Sequence, residues 1–321
     1  MPFDRLAAAP LPRLGLGLAA VGRPGYINLH RDADLPADRT VDAMRDRAHH
    51  VLDTAYAAGM RYFDAARSYG RAEEFLAGWL AARPAATDVV IGSKWGYTYT
   101  ADWRADAKVH EVKDHGTATY DRQIGETRAL LGDRLGLYQI HSVTPDSPAL
   151  TDRALHARLA ALAAEGVAVG FSTSGALQAE AIRAAMGVTV DGQRLFTAVQ
   201  ATYNLLEPSA GAALAEAHAA GMAVIVKEGM ANGRLAQAAP GSVLAEIAAA
   251  TGAAPDAVAL AAILHRPWAG VVLSGAATTA QVEANAAAAG LHLSAERLAR
   301  LTALAEPAPL YWRERSALPW T

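Results

Sequence analysis

Short apolar runs alternate along the chain with longer, alanine-rich stretches. The runs are four or five residues long and consist largely of Val, Ile, Leu, Phe and Ala. Apolar runs of this length are typical of strands that are buried on both faces of a parallel sheet. The pattern predicts eight strands, which are Leu14–Leu18, Arg61–Asp64, Val89–Ser93, Leu137–Ile140, Val167–Phe171, Phe196–Gln200, Ala223–Val226 and Gly270–Leu273.

The stretches between these runs have the pattern of helices. The clearest predicted helices are Ala43–Ala58, Ala72–Ala82, Asp121–Leu131, Arg153–Ala164, Ala210–Ala220 and Val243–Ala250. Eight alternations of strand and helix favour a closed (β/α)8 TIM barrel of the α/β class over an open doubly wound sheet. The run Leu14–Gly17 resembles a dinucleotide-binding fingerprint, but the third glycine and the helix opening on it are missing. We therefore predict one barrel domain over residues 1–321.

Composition and charge exclude several classes of protein. The net charge is −3 with both signs dispersed, which predicts no nucleic-acid partner. The absence of cysteine excludes disulfides and thiolate metal sites, and no histidines are spaced as metal ligands, so no metal is expected. The N-terminus does not resemble a secretory signal, and no run of about 18 apolar residues predicts a membrane span. We expect a cytoplasmic protein; the pattern does not distinguish a monomer from a homo-oligomer.

Two stretches depart from the regular alternation. Residues 95–116 form a polar and aromatic connection after the third strand, and residues 307–321 form a tail rich in aromatic residues and arginine. Long loops in a compact domain usually serve the function. We expect them to supply a substrate-binding wall made by Trp95, Tyr97, Trp103, Trp312 and Trp320. A more polar lining by Arg104, Lys108 and Arg313 is the alternative.

Four polar residues stand at or just after the ends of consecutive predicted strands. Asp64 ends the second strand, Tyr69 follows it in a loop, and Lys94 and His141 follow the third and fourth strands. The carboxyl ends of barrel strands form one face, so these side chains, here called the tetrad, are expected to meet. A free tyrosine has a pKa of about 10, which a neighbouring ammonium lowers. The tetrad therefore predicts a site that protonates a developing alkoxide or deprotonates an alcohol.

With these residues in this order, the sequence resembles the aldo-keto reductase superfamily from about Leu14 to Asn285. The matching motifs are Phe63–Gly70, Ser93–Lys94, Leu137–His141, Gly166–Thr173 and Val199–Asn204. The resemblance implies that Tyr69 is the general acid and base and that Lys94 lowers its pKa. It also implies that Asp64 pairs with Lys94 and that His141 orients the substrate carbonyl.

The resemblance further implies a nicotinamide cofactor, NADPH or NADH, and a small-molecule partner. That partner is an aldehyde, a ketone or a sugar-like carbonyl, or the corresponding alcohol. Ser172, Thr173 and Gln200 lie where the family binds the nicotinamide carboxamide. The other residues implied in cofactor binding are Val226, Lys227, Gly229, Ser274, Gly275, Gln281 and Asn285.

The sequence departs from the family pattern in three places. Thr173 stands where relatives often have asparagine. The run Val226–Met230 replaces an aromatic-Ser-Pro-Leu run, so Lys227 is expected to contact the pyrophosphate or the substrate where relatives stack an aromatic ring on nicotinamide. No Lys or Arg lies between Ser274 and Asn285, where NADP-specific relatives grip the 2′-phosphate. This favours NADH or the use of both cofactors, against the general preference of the family for NADPH.

Two functions of other classes also fit a barrel of this kind, because fold alone does not define function. One is a non-catalytic regulatory subunit that senses the cofactor, against which the intact tetrad argues. The other is a cofactor-independent isomerase or lyase that uses Tyr69 and Lys94.

Overall fold

Eight parallel strands close into a barrel in the computed structural model, which describes residues 3, 13–27, 29, 34–35 and 37–320. Each strand pairs with its neighbours in sequence order, and the first strand pairs with the last. The predicted (β/α)8 architecture is confirmed. The strands are Leu14–Gly17 (β1), Tyr62–Asp64 (β2), Val90–Trp95 (β3), Leu135–Val143 (β4), Ala168–Thr173 (β5), Ala198–Thr202 (β6), Ala223–Lys227 (β7) and Val271–Ser274 (β8).

Helices follow the strands and include all six that the sequence pattern predicted. In the described part of the chain they are Val41–Ala57 (α1), Ala72–Ala81 (α2), Thr117–Leu131 (α3), Arg153–Ala164 (α4), Gln178–Met186 (α5), Gly211–Ala219 (α6), Val243–Thr251 (α7), Pro255–Leu264 (α8), Thr279–Ala287 (α9), Ala295–Leu301 (α10) and Ala308–Ser316 (α11). Side-chain caps begin several of them: Thr40 accepts from the amide of Ala43, and Asp152 accepts from those of Ala154 and Leu155.

The interior of the barrel is packed where the strands begin. Apolar side chains from consecutive strands meet there, namely Tyr62, Val90, Leu137, Ala168, Ala198, Ile225 and Val271. Tyr62 passes close to Gly92, where an added Cβ would lie 2.2 Å from the tyrosine oxygen. The glycine therefore leaves the room that Tyr62 needs to reach Asp64, to which its hydroxyl donates at 3.1 Å. The packed interior thus supports the first residue of the tetrad from below.

The two stretches that depart from the alternation contain regular structure that the sequence pattern did not predict. Residues Tyr97–Tyr99 pair with Glu111–Lys113 as an antiparallel hairpin. The tail contains α11, and Trp320 forms an isolated antiparallel bridge with Ile27. Both stretches therefore lie against the barrel as folded elements.

Among the described residues, no single helix has the length and apolar composition to cross a membrane, and α7 with α8 meets both criteria only as a pair bent by 92°.

Candidate active site

Asp64 and Lys94 form a buried ion pair at the ends of β2 and β3. The ammonium of Lys94 donates to Asp64 and, at 2.9 Å, to the carbonyl of Ala65. The side chain of Asp64 is 2% exposed and that of Lys94 is 0% exposed. An ion pair so deeply buried is stable only when further hydrogen bonds satisfy it. Asp64 accepts these bonds from Tyr62 and from Gln200, whose amide nitrogen lies 3.0 Å away.

Tyr69 lies beside this ion pair. The centroid of its ring is 4.8 Å from the ammonium of Lys94 and 5.5 Å from the ring of His141. Burial raises the pKa of Tyr69, and so does the carboxylate of Asp64, whereas the guanidinium of Arg23 lowers it. The net shift is upward, so the expected lowering by Lys94 is not the dominant effect. The phenol is therefore protonated near neutral pH.

His141 completes the tetrad as a neutral imidazole. Burial lowers its pKa well below the usual value, and the nearby charges of Lys94 and Lys227 lower it further. A neutral imidazole has one N–H donor, which suits it to hydrogen-bond a carbonyl oxygen. The hydroxyl of Ser68 lies 3.5 Å from its Nδ1.

His115, which the sequence did not single out, holds the backbone of His141. Its Nε2 lies 2.7 Å from the carbonyl oxygen of His141, and its Nδ1 lies 2.6 Å from the hydroxyl of Ser147. A carbonyl only accepts, so the proton is on Nε2 and Ser147 donates to Nδ1. Burial lowers the pKa of His115 to about 4, which keeps this tautomer neutral.

The residue after His141 lies in a bulge of β4. Ser142 has a φ of 58°, and the pairing register of β4 with β5 shifts between Ile140 and Val143. The amide of Ser142 donates to the hydroxyl of Ser172 at 2.8 Å, and its carbonyl accepts from Lys113 at the same distance. Ser172 therefore supports the strand end that carries His141.

A second charged group stands at the end of β7. The ammonium of Lys227 donates to the hydroxyl of Thr202 at 2.7 Å, and that hydroxyl donates to Glu228 at 3.2 Å. Burial lowers the pKa of Lys227 to about 8, although Glu228 opposes the shift. Burial alone would raise the pKa of Glu228, but Arg315 and Lys227 outweigh it and lower this pKa to about 2.

The tetrad opens on a cavity of about 470 Å³. Seven of the residues implied in cofactor binding line it, namely Gln200, Lys227, Gly229, Ser274, Gly275, Gln281 and Asn285. Ser172, Thr173 and Val226 are fully buried behind its wall. Thr173 donates to the amide oxygen of Gln178 at 3.3 Å. No group of three or more metal-ligating side chains occurs within the described ranges.

A family model for the Aldo/keto reductase family matches residues 14–306. The chain belongs to this family. A curated relative, Aldo-keto reductase str7 of Strobilurus tenacellus, is 26% identical over 149 residues, which are 46% of this chain and 38% of the relative. The match thus spans well under half of that relative.

Solved structures of aldo-keto reductases share the fold. The protein from Klebsiella pneumoniae in complex with NADPH is 24% identical with a TM-score of 0.66, and the alignment covers 93% of this chain and 91% of that one. The holo form of AKR11C1 from Bacillus halodurans is 20% identical with a TM-score of 0.68, covering 92% and 93%. At these identities the likeness concerns the fold.

The five aromatic residues predicted to form a substrate wall in this aldo-keto reductase family member lie in different surroundings. Of the predicted aromatic residues, Tyr97 and Trp320 line the cavity. Trp95 is fully buried against Tyr120, and Trp103 donates to a backbone carbonyl at 2.7 Å. Trp312 packs against Tyr311 and is also absent from the lining.

Charged residues from loops and the tail also line the cavity, and sequence reasoning missed most of them. They are Arg23, Glu111, Glu228 and Arg315, and the uncharged ring of Tyr26, which contacts Arg23, lines the cavity as well. The sequence signals for this group were the stretches that contain three of its members: the loop 95–116 for Glu111, the run Val226–Met230 for Glu228 and the tail 307–321 for Arg315. The neighbourhood of Tyr69 is thus polar and charged as well as aromatic.

Proposed function

We propose that this protein is an NAD(P)H-dependent oxidoreductase that interconverts an aldehyde, ketone or sugar-like carbonyl and its alcohol, with Tyr69 as general acid and base. The observation that carries the proposal is the position of the Tyr69 ring, 4.8 Å from the Lys94 ammonium and 5.5 Å from the His141 ring, on the lining of the cavity. Membership of the family supports an oxidoreductase. The NADPH bound by the Klebsiella relative supports the cofactor class.

The lining of the cavity fits a nicotinamide dinucleotide by its donors and acceptors. The side-chain oxygen of Asn232 is buried without a hydrogen-bond partner among the described residues, and Asn232 lines the cavity. An acceptor left in this state is costly unless a ligand donates to it. Gln200, Ser274 and Asn285 add donors and acceptors suited to amide and hydroxyl groups. We assign these residues to cofactor binding.

When bound, the cofactor supplies hydride to the carbonyl carbon or removes it from the alcohol carbon. The N–H of neutral His141 hydrogen-bonds the carbonyl oxygen and so orients the carbonyl. As negative charge develops on that oxygen, the hydroxyl of Tyr69 gives it a proton. Lys94, oriented by Asp64, stabilises the phenolate that remains. In the reverse direction the phenolate accepts the proton of the alcohol.

The direct test is Tyr69→Phe, which removes the hydroxyl and keeps the ring. Loss of a general acid lowers the rate by about a hundredfold to ten-thousandfold, so we expect a loss of this size in the reduction of para-nitrobenzaldehyde. Tyr99→Phe is the matched control, since Tyr99 lies in the hairpin outside the lining of the cavity.

Fluorescence titration with NADPH and NADH accompanies the rates. The phenylalanine variant at position 69 should bind the cofactor as the wild type does, because Tyr69 acts on the substrate oxygen. Near wild-type turnover by this variant would refute the acid–base role. Failure of the folded wild type to bind either cofactor would refute the proposed function as a whole.

A further inference from the structure

Arg23 lies against Tyr69, although no motif marks it. The guanidinium carbon is 5.3 Å from the centroid of the Tyr69 ring. One guanidinium nitrogen donates to the carbonyl of Ser68 at 2.7 Å and to the carboxylate of Glu111 at 2.9 Å. Arg23 is only 2% exposed, so its charge acts on its neighbours with little screening by water.

The backbone on either side of this contact is tightly packed. A Cβ on Gly22 would lie 2.5 Å from the carbonyl oxygen of Tyr69, and one on Gly70 would lie 2.8 Å from the Cβ of Arg23. The amide of Arg71 donates to the carbonyl of Gly22 at 2.8 Å. The segment that carries Arg23 and the loop that carries Tyr69 are therefore held together, and the guanidinium keeps its place.

Several charged groups act on Tyr69, and their effects differ in sign. The carboxylates of Asp64, Glu111 and Glu228 oppose loss of its proton, whereas Arg23 favours it. Lys94 lies close to the ring, but its charge is balanced by the bond to Asp64. His141 is neutral.

Arg23 has a carboxylate partner as well, but the two are not equally exposed. The side chain of Arg23 is 3% exposed and that of Glu111 is 23% exposed. Water therefore screens the carboxylate of Glu111 more than the guanidinium of Arg23, so this pair taken together favours ionisation of Tyr69.

We propose that Arg23 is a positioning residue for Tyr69 whose guanidinium stabilises the phenolate that forms when Tyr69 gives up its proton. This inference rests on the proposed function. It adds a second cation to the tetrad, from the loop after β1. In the oxidation of an alcohol, the proton passes from Tyr69 to solvent before the phenolate takes the proton of the alcohol, so Arg23 matters most in this direction.

The test is the pH dependence of the oxidation of para-nitrobenzyl alcohol with NADP⁺ or NAD⁺. Arg23→Gln removes the charge but keeps a hydrogen-bond donor. We expect its rising limb to move upward by about one pH unit, which is about a tenfold loss of rate near neutral pH that high pH restores. Arg23→Lys should recover most of the shift. The reduction of para-nitrobenzaldehyde near neutral pH should change less, because Tyr69 is already protonated there.

Glu111→Gln is the matched variant with the opposite sign. It removes one of the three carboxylates that oppose ionisation of Tyr69, so the rising limb of its profile should move to lower pH. If Arg23→Gln does not fold, the Glu111→Gln profile is the test, and a midpoint that does not move to lower pH overturns the inference. An Arg23→Gln profile that keeps its midpoint, or a loss that is equal at every pH, overturns the inference.

Tyr69→Phe separates this failure from failure of the proposed function. If that variant oxidises the alcohol as fast as the wild type, or the wild type oxidises none, the proposed function fails together with the inference. If Tyr69→Phe is inactive while the midpoints of Arg23→Gln and Glu111→Gln stay unchanged, the inference on Arg23 alone fails.

Discussion

Arg315 on α11 forms a bidentate ion pair with the carboxylate of Glu228, the residue that follows β7. The distances are 2.9 Å from Nε to one carboxylate oxygen and 2.5 Å from Nη2 to the other. Glu228 itself has a φ of 56°, in the left-handed region that is uncommon for residues other than glycine. Both residues line the cavity. The last described helix is thus fastened to the barrel directly beside the candidate active site.

Glu228→Gln should destabilise the protein, because it leaves the guanidinium of Arg315, whose side chain is 21% exposed, without its carboxylate. Removal of one partner of a fully buried pair costs about 3 kcal/mol or more, and the partial exposure of Arg315 should keep the loss below about that value. Denaturant unfolding of the wild type and the variant measures the difference. Glu216→Gln is the control, since it breaks an exposed pair with Arg183 of similar geometry, and it should cost much less.

The same pair predicts a dependence of stability on pH. The pKa of Glu228 falls from 4.5 in the unfolded chain to about 2 in the folded protein. A carboxylate whose pKa is lowered by folding contributes its full stability above the unfolded value and loses it as the pH falls through the folded value. The difference in unfolding free energy between the wild type and Glu228→Gln should therefore shrink as the pH falls from about 4.5 to about 2. A difference that stays constant over this range would contradict the pairing.

His115 should affect turnover through the position of His141. His115→Phe removes the donor to the carbonyl of His141, and displacement of a reacting group lowers rates by about tenfold to a hundredfold. His115→Gln offers an amide N–H near the position of Nε2 and should restore most of the rate. The kcat for para-nitrobenzaldehyde and the affinity for the cofactor, measured together, separate this effect from a defect in binding. Equal kcat in the Phe variant and the wild type would show that the contact is dispensable.

The strands and the tetrad were predictable because each follows from local pattern. Apolar runs mark strands that are buried on both faces, and the ends of parallel strands meet at one face. The same rule of alternation explains why Trp95, predicted as part of the substrate wall, does not line the cavity. Successive strand residues point to opposite faces, so Lys94 faces Asp64 in the barrel while Trp95 packs outward against Tyr120 of α3.

The residues that sequence reasoning missed depend on contacts between distant parts of the chain. Arg23 meets Glu111 across 88 positions, and Arg315 meets Glu228 across 87. No local period encodes such a pair. Several charged residues would serve equally well as partners until the loops are folded. The charged residues that line the cavity could therefore be identified as one group only from the folded structure.

NADH should bind at least as tightly as NADPH. A 2′-phosphate needs charge-assisted partners. The cations that line the cavity in the described part of the chain are Arg23, Lys227 and Arg315, and all three hydrogen-bond other side chains of this chain. Fluorescence titration with both cofactors checks this, and clearly tighter binding of NADPH by the wild type would contradict it.

Gln281→Arg should tighten the binding of NADPH more than that of NADH. Gln281 lines the cavity in the first turn of α9, where it accepts from the amide of Ala277 at 2.9 Å. A new hydrogen bond to a charged group is worth about 1.5–3 kcal/mol, which is about tenfold to a hundredfold in affinity. Gln281→Met removes the bond to Ala277 without adding charge and is the control. If Gln281→Arg changes the affinities for NADPH and NADH equally, the 2′-phosphate does not bind beside residue 281.

Lys227 should react with amine reagents at an unusually low pH. The chain has four lysines, Lys94, Lys108, Lys113 and Lys227, so their labelled peptides are easily separated. Only the neutral amine reacts, and burial lowers the pKa of Lys227 to about 8. Pulse labelling with acetic anhydride, followed by mass spectrometry, should give a midpoint near this value for the Lys227 peptide. Glu228 favours the charged amine, so Glu228→Gln should move the midpoint lower still. A midpoint that does not fall in this variant would show that Glu228 does not control the charge beside the tetrad.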